Sequence, residues 1–500
     1  LAIMPIPGRV PSARNERPIC FSQKAETATP YYYKVYLADH DVTAEFAPTE
    51  RAAAFRFTFP ETEEAYVVVD AMDNGSFVKI IPAEKKIIGY TTKNSGGVPS
   101  NFKNYFVLQF DKPFTYTAAV KDGKIAPRTT EASANHAGGI IGFHTLRGEQ
   151  VNVRVASSFI SHEQAELNLK ELGDRTLEEV AKAGRDEWNR VLGRIEVQDT
   201  DLDRLRTFYS CFYRSVLFPR SFYEIDAQGQ VMHYSPYNGE VLPGYMFADT
   251  GFWDTFRSQF PLTNILHPTM QGQYMQALLD AQEQCGWLPS WSFPSETGGM
   301  VGNHSISLLT DAWVKGIRTF DPEKALKAYA HEAMNKGPWG GANGRVRWKD
   351  YYQLGYIPYP ESMGSTAQTL EYCYDDFCAY QLAKMTGNKF YEEVFARQIY
   401  NYKNVYDPSV GFMRGRKLDG SWADFDAFEW GGPYCEGNAW HYNWSVFHDV
   451  QGLIDLTGGD ERFVAKIDSV FALPGIVKYG TYGTKIHEML EMELAKMGQY

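Results

Sequence analysis

Residues 433–444 read PYCEGNAWHYNW, a stretch in which one carboxylate, Glu436, stands among tyrosine and tryptophan rings beside a cysteine and a glycine. Apolar surroundings disfavour the charged form of a carboxyl group and raise its pKa. That is how a glutamate becomes a general acid at neutral pH. The competing reading is a buried glutamate that caps or salt-bridges a helix end. The preceding segment, LDGSWADFDAFEWGG, adds Asp424, Asp426 and Glu429. Packing alone does not require so many acids and rings in one loop.

Other carboxylates stand in comparable settings. FADTGFWDTFRSQFP places Trp253 and Asp254 at the start of an expected helix. Asp254 is either an N-cap or an acceptor for sugar hydroxyls, with the indole packed against the ring. CGWLPSWSFPSETGGMVGNHS gathers Trp287, Trp291, Glu296 and His304 around a glycine-rich loop. His304, at a helix start, reads first as a capping or core histidine. GYIPYPESMGSTAQTLEYCYDD holds Glu361 and the adjacent pair Asp375 and Asp376. Neighbours on a helix do not share a face, so at most one of that pair points at a site. The six cysteines (20, 211, 285, 373, 378 and 435) show no zinc-site spacing. Most are expected to be buried thiols.

Two textures of sequence must position these residues. From about 30 to 160, runs such as RAAAFRFTFP, EEAYVVVDA and QVNVRVASSFIS alternate with a period of two between Gly, Pro, Asn and Asp. They read as an antiparallel β-sandwich domain over 1–160. SHEQAELNLKELGDRTLEEVAKAGRDEWNRVLGRIEV then turns helical, with SHEQ as a capping box, and predicts a helical linker over 161–198. From 199 to 500, helical segments alternate with loops rich in Trp, Gly and Pro. Helical hairpins with elaborate loops predict an (α/α)6 toroid as the catalytic domain. The runner-up, an all-α solenoid, lacks a fixed repeat period.

Composition narrows the function classes. With 500 residues, 44% hydrophobic and 22% charged, the chain is an ordinary globular protein of two or three domains. A net charge of −12 argues against a nucleic-acid partner. No run approaches the roughly 18 apolar residues of a membrane span. The aromatic share of 15% suits flat sugar faces as well as large cores.

Together, GFWDTFR, GNHSISLLTDAW, TLEYCYDDFCAYQLAK and YCEGNAWHYNWSVFHDV resemble the signature segments of glycoside hydrolase family 92. The resemblance extends to YYYKVYLADHDVTAEFAPTERAAAFRFTFP, similar to that family's β-sandwich. It implies a calcium-dependent, inverting exo-α-mannosidase, with the active site between the sandwich and the (α/α)6 domain. Glu436 would then be the general acid, and Trp253 and Asp254 would line the pocket for the terminal mannose. IHEMLEM resembles a segment of α-1,2-specific members, which makes His487 and Glu488 the residues that read the linkage.

The resemblance also implies a longer chain. The family's opening glycine-rich segment is expected before Leu1. The catalytic base and most calcium ligands are expected beyond Tyr500. Asp424 and Asp426 are the candidates for a substitute base within the chain. The expected partner is a mannose-containing glycan, an N-glycan or mannan, and the expected location is periplasmic or secreted. Two alternatives remain at this point: a calcium-dependent mannan-binding protein without turnover, and another (α/α)6 glycoside hydrolase.

Overall fold

A computed structural model describes residues 1–11, 16–94, 96–339, 343–473 and 478. Internal contacts divide the chain into two compact units, Leu1–Tyr245 and Met246–Tyr500.

The first unit is built on two antiparallel sheets. One has five strands, in the order Ala2–Pro7, Thr62–Asp70, Ala137–Thr145, Tyr116–Lys121 and Lys124–Pro127. The other has nine, in the order Glu131–Ala134, Ser76–Ile81, Lys86–Thr91, Asn104–Phe110, Glu149–Ser158, Ala52–Phe59, Val42–Pro48, Tyr32–Leu37 and Thr27–Thr29. Alternation along Thr62–Asp70 explains the layering. Val67 and Val69 enter the core with Phe57, Phe106 and Phe143, whereas Val68 packs on the opposite face with Ile6, Val120 and Ile140. Both sets are buried, each such side chain contributing about 1.5–3 kcal/mol of transfer free energy. The expected β-sandwich is present.

The helical stretch after the sandwich covers sheet rather than only joining domains. Helices α1 (His162–Leu169) and α2 (Leu177–Leu192) follow the last long strand. Ala165, Leu172, Leu177 and Val180 pack on Ala47, Ala54, Val107 and Ala156 of the nine-stranded sheet. The capping box lies one helix later than SHEQ suggests. Ser161 alone caps α1, while Thr176 and Glu179 form the reciprocal pair at α2. Helix α3 (Leu202–Ser215) and the short strands Glu224–Ile225, Val231–Tyr234 and Val241–Pro243 complete this unit. Buried Glu224 ties them in, accepting from the Phe159 N–H at 2.7 Å and from Asn168 Nδ2 at 2.7 Å.

The second unit is helical. Its elements are α4 (Phe252–Thr255), α5 (Gln259–Leu266), α6 (Pro268–Cys285), α7 (Ser305–Val314), α8 (Pro322–Ala333), α9 (Trp348–Leu354), α10 (Ser365–Thr386), α11 (Lys389–Ala396), α12 (Ala439–Tyr442), α13 (Val450–Thr457) and α14 (Asp460–Ala472). Helix α10 is central and packs against α7, α8 and α11. Most of its residues are buried, including the polar Glu371, Asp375 and Asp376. Buried charges persist only when paired, so α10 marks where this unit keeps its polar chemistry. Cys373 and Cys378, also on α10, are the two fully buried thiols; Cys20 and Cys211 are exposed, contrary to the expectation for most cysteines. Among the described residues no helix is long and apolar enough to cross a membrane.

Candidate active site

The loop that carries Glu436 caps α10. That helix starts at Gly364, which has no side chain to satisfy the first-turn N–H groups. The carbonyl of Pro433 accepts from the N–H of Thr366 at 2.9 Å and of Ala367 at 3.2 Å, and that of Gly432 accepts from Gly364 at 2.8 Å. The loop is also tied to itself. The Gly431 N–H donates to Gly437 at 2.8 Å, the Tyr442 hydroxyl donates to the Cys435 carbonyl at 2.7 Å, and Tyr434 stacks on Tyr442. Asn438, with His441, forms the capping box that starts α12.

Within this frame Glu436 takes a left-handed backbone conformation, φ 47°. A side chain there costs on the order of 1–2 kcal/mol. A local fold holds such a residue only when the surrounding bonds over-determine it. Glu436 is half-buried. The N-cap reading fails at α12, where Asn438 holds that position.

Trp253 and Asp254 lie inside α4, whose N-cap is Gly251, so the capping reading of Asp254 falls as well. The two side chains part company. Trp253 is 2% exposed and donates its indole N–H to Glu371 Oε1 at 3.0 Å. Asp254 keeps access to solvent. The protein around its carboxyl raises its pKa, and the charges of Arg257 and His304 oppose that rise. A group both accessible and crowded sits in a concave surface. Gly251 makes this possible: a Cβ there would lie 3.1 Å from Asp254 Oδ2 and 3.2 Å from the Trp291 ring. The bare backbone therefore lets an indole face and a carboxylate meet. Trp253, Trp291, Gly299, Met300 and His304 line the adjoining recess.

His304 is the residue that sequence reading undervalued. It precedes α7 but makes no side-chain cap. Its ring is 1% exposed and stacks on Phe256 at 4.0 Å between centroids. Its Nε2 lies 3.2 Å from Glu371 Oε2 and its Nδ1 lies 2.9 Å from Asp375 Oδ1. Burial opposes charge on the imidazole, but the two carboxylates prevail and lift its pKa to about 9. Burial likewise pushes Glu371 upward and is outweighed by His304, Arg257 and Trp253, leaving it below the usual range. Asp375 also accepts from the Asn303 N–H at 2.6 Å. Asp376 faces away, to Arg345 at 2.8 Å and Tyr329 at 2.8 Å. The adjacent aspartates thus serve different partners, as their helical positions require.

A folded-state pKa raised above the unfolded value binds protons on folding. The stability that His304 contributes is therefore complete below about pH 6.5 and lost as pH rises through about 9. Urea titrations should show this unit losing on the order of 2–3 kcal/mol across that window. His304→Gln should flatten the profile; an unchanged slope would contradict a buried imidazolium.

The remaining acids are accounted for. Glu296 is buried and accepts from the N–H groups of Ser290, Trp291 and Gly298, which holds the Trp291 loop. Glu332, which burial pushes up to about 8, does the same for Leu288 and Gly344. Asp426 pairs with Lys478, which lowers its pKa, and Asp424 is exposed. Glu361 and Glu429 are exposed. His487 and Glu488 lie outside the described residues. Among the described residues no group of three or more His, Cys, Asp or Glu side chains is placed to hold a metal ion.

One helix end organises what the structure does bring together. Thr366 and Ala367 of α10 hold the Glu436 loop, and Glu371 of the same helix holds Trp253. At 1.5 Å per residue these anchors are about 6–8 Å apart along the axis.

The chain folds as a β-sandwich followed by a helical domain whose loops carry acids and indoles. Residues 1–158 match the sequence model of the glycosyl hydrolase family 92 N-terminal domain, and residues 164–500 that of the family's catalytic domain. The chain belongs to glycosyl hydrolase family 92. It is 43% identical to a solved structure of a family 92 inverting mannosidase from Bacteroides thetaiotaomicron VPI-5482, with a TM-score of 0.93 over 100% of this chain and 68% of that one. A family 92 α-mannosidase from Bacteroides thetaiotaomicron, solved with mannoimidazole, is 29% identical with a TM-score of 0.85, over 94% of this chain and 64% of that one. A secreted glycosidase from Arthroderma benhamiae is 25% identical, over 91% of this chain and 62% of its own length. The chain thus spans about two thirds of these relatives.

Proposed function

We propose that the protein is an exo-acting α-mannosidase that removes terminal α-linked mannose, α-1,2-linked in N-glycans or mannan, with inversion. The observation that carries the reading is the 43% identity, across the whole chain, to a structure described as an inverting mannosidase. The held geometry of Glu436 supports the mechanism.

Glu436 is the general acid. Its proton passes to the glycosidic oxygen as the bond from that oxygen to the anomeric carbon breaks. A water attacks the opposite face, and a base some 6.5–9.5 Å from the acid takes its proton in an inverting enzyme. Asp426, already paired with Lys478, is poorly suited to be that base, and none is assigned among the described residues. Asp254 accepts hydrogen bonds from hydroxyls of the terminal mannose. Trp253 holds the segment from behind, and Trp291 offers its indole face beside the carboxylate. His487 and Glu488 remain the proposed readers of the linkage.

Calcium belongs to this reading as the metal the activity requires. The full-length protein should release mannose from α-mannosides and lose that activity in excess chelator, with recovery on adding calcium. Hydrolysis of glucosides that resists chelation would instead favour another (α/α)6 hydrolase. The proposed location is secreted or periplasmic, and the description of the Arthroderma relative as secreted supports export.

A further inference from the structure

One fully buried carboxylate of the helical unit stands behind Asp254 and is not used by the mechanism. Glu371 is fully buried on α10. Its Oε1 accepts from Trp253 Nε1 at 3.0 Å and from Arg257 Nη2 at 3.4 Å, and its Oε2 faces His304 Nε2 at 3.2 Å. Trp253 and Arg257 are four residues apart, one helical turn. Trp253, inside α4, and Arg257, two residues past its end, both reach back to the same oxygen, so the segment is gripped at two points. Asp254, one residue on from Trp253, is rotated by about 100° around a helix of 3.6 residues per turn. The grip that buries Trp253 therefore directs Asp254 towards solvent. Behind Glu371, the cation of His304 is itself held by Asp375, and the Arg257 guanidinium packs over Phe256 at 4.6 Å and Phe447 at 5.2 Å.

We propose that Glu371 is a positioning residue, clamping Trp253 and Arg257 so that Asp254 meets the terminal sugar in its binding orientation. The assignment rests on the mannosidase reading and on Asp254 as a sugar contact. Glu371 touches no substrate and acts through Asp254. Loss of the clamp therefore weakens sugar binding in ground state and transition state alike, which raises KM and leaves kcat nearly unchanged.

The test is a double-mutant cycle on the full-length enzyme with an α-mannoside, using Glu371→Gln, Asp254→Asn and their combination. Glutamine keeps the shape and still accepts from Trp253, but it cannot carry the charge that Arg257 and His304 require. Glu371→Gln should raise KM by about ten- to a hundredfold with kcat within about threefold. That penalty should largely vanish in the Asp254→Asn background, because residues acting as a unit are not additive. Glu371→Asp should recover part of the loss. If Glu371→Gln is not soluble, Arg257→Gln removes one end of the grip and should show the same KM pattern at smaller size. A folded Glu371→Gln enzyme with unchanged KM, or penalties that simply multiply, would overturn the positioning role and leave the mannosidase reading intact. A parent enzyme that releases no mannose would overturn that reading, and this assignment with it.

Discussion

Glu436→Gln is expected to lower kcat/KM on a natural mannoside by about 10²–10⁴-fold, the usual contribution of a positioned general acid. Substrates with a good leaving group, such as an activated aryl mannoside, need little protonation and should lose far less. That asymmetry separates loss of the acid from general damage to the site. The backbone adds a second signature. Glu436 occupies a left-handed conformation that asparagine tolerates better than glutamate. Glu436→Asn should therefore abolish natural turnover while the melting temperature stays level or rises slightly. Full activity of the glutamine variant on a natural mannoside would remove Glu436 from the reaction.

Arg345→Met is expected to be the most destabilising single change among the buried ion pairs. Arg345 and Asp376 both have fully buried side chains 2.8 Å apart. Tyr329 and Tyr351 donate to the same aspartate at 2.8 and 3.2 Å. Removing one partner of such a pair strands the other charge, at a cost of about 3–5 kcal/mol. Urea unfolding should register that loss in the helical unit, or the variant should fail to accumulate as soluble protein. Replacing Asp376 by leucine together with Arg345→Met should recover much of the stability, because a matched apolar pair leaves no stranded charge. A single variant within about 1 kcal/mol of the parent would mean that the aspartate is protonated or hydrated in place.

Helix α10, which carries Glu371, Asp375 and Asp376, shows what was legible in the sequence. Period-two runs such as RAAAFRFTFP gave away the sandwich because one face of each strand must be apolar. The divergence of Asp375 and Asp376 followed from helical rotation alone. The loop around Glu436 stood out because acids and rings are dense there. Glu371 was less visible. It lies in the quoted segment TLEYCYDD, and a usable signal existed: Glu371 and Asp375 are four apart on a helix, hence on one face, the face that meets His304. What the sequence could not disclose was the partner, since Trp253 and Arg257 come from more than a hundred positions away. Twelve α-helices follow residue 199 among the described residues. They include the single turns α4 and α12, too short to show a period; α4 carries Asp254 and α12 follows Glu436. Short elements fixed by loop hydrogen bonds, rather than by amphipathic faces, are where pattern reading fails.

The most direct test of the mannosidase reading is an NMR time course of the full-length protein with α-1,2-mannobiose and calcium. The account predicts that β-mannose appears first and equilibrates with the α-anomer only by mutarotation. Release of α-mannose at the outset, or no mannose at all, would contradict it.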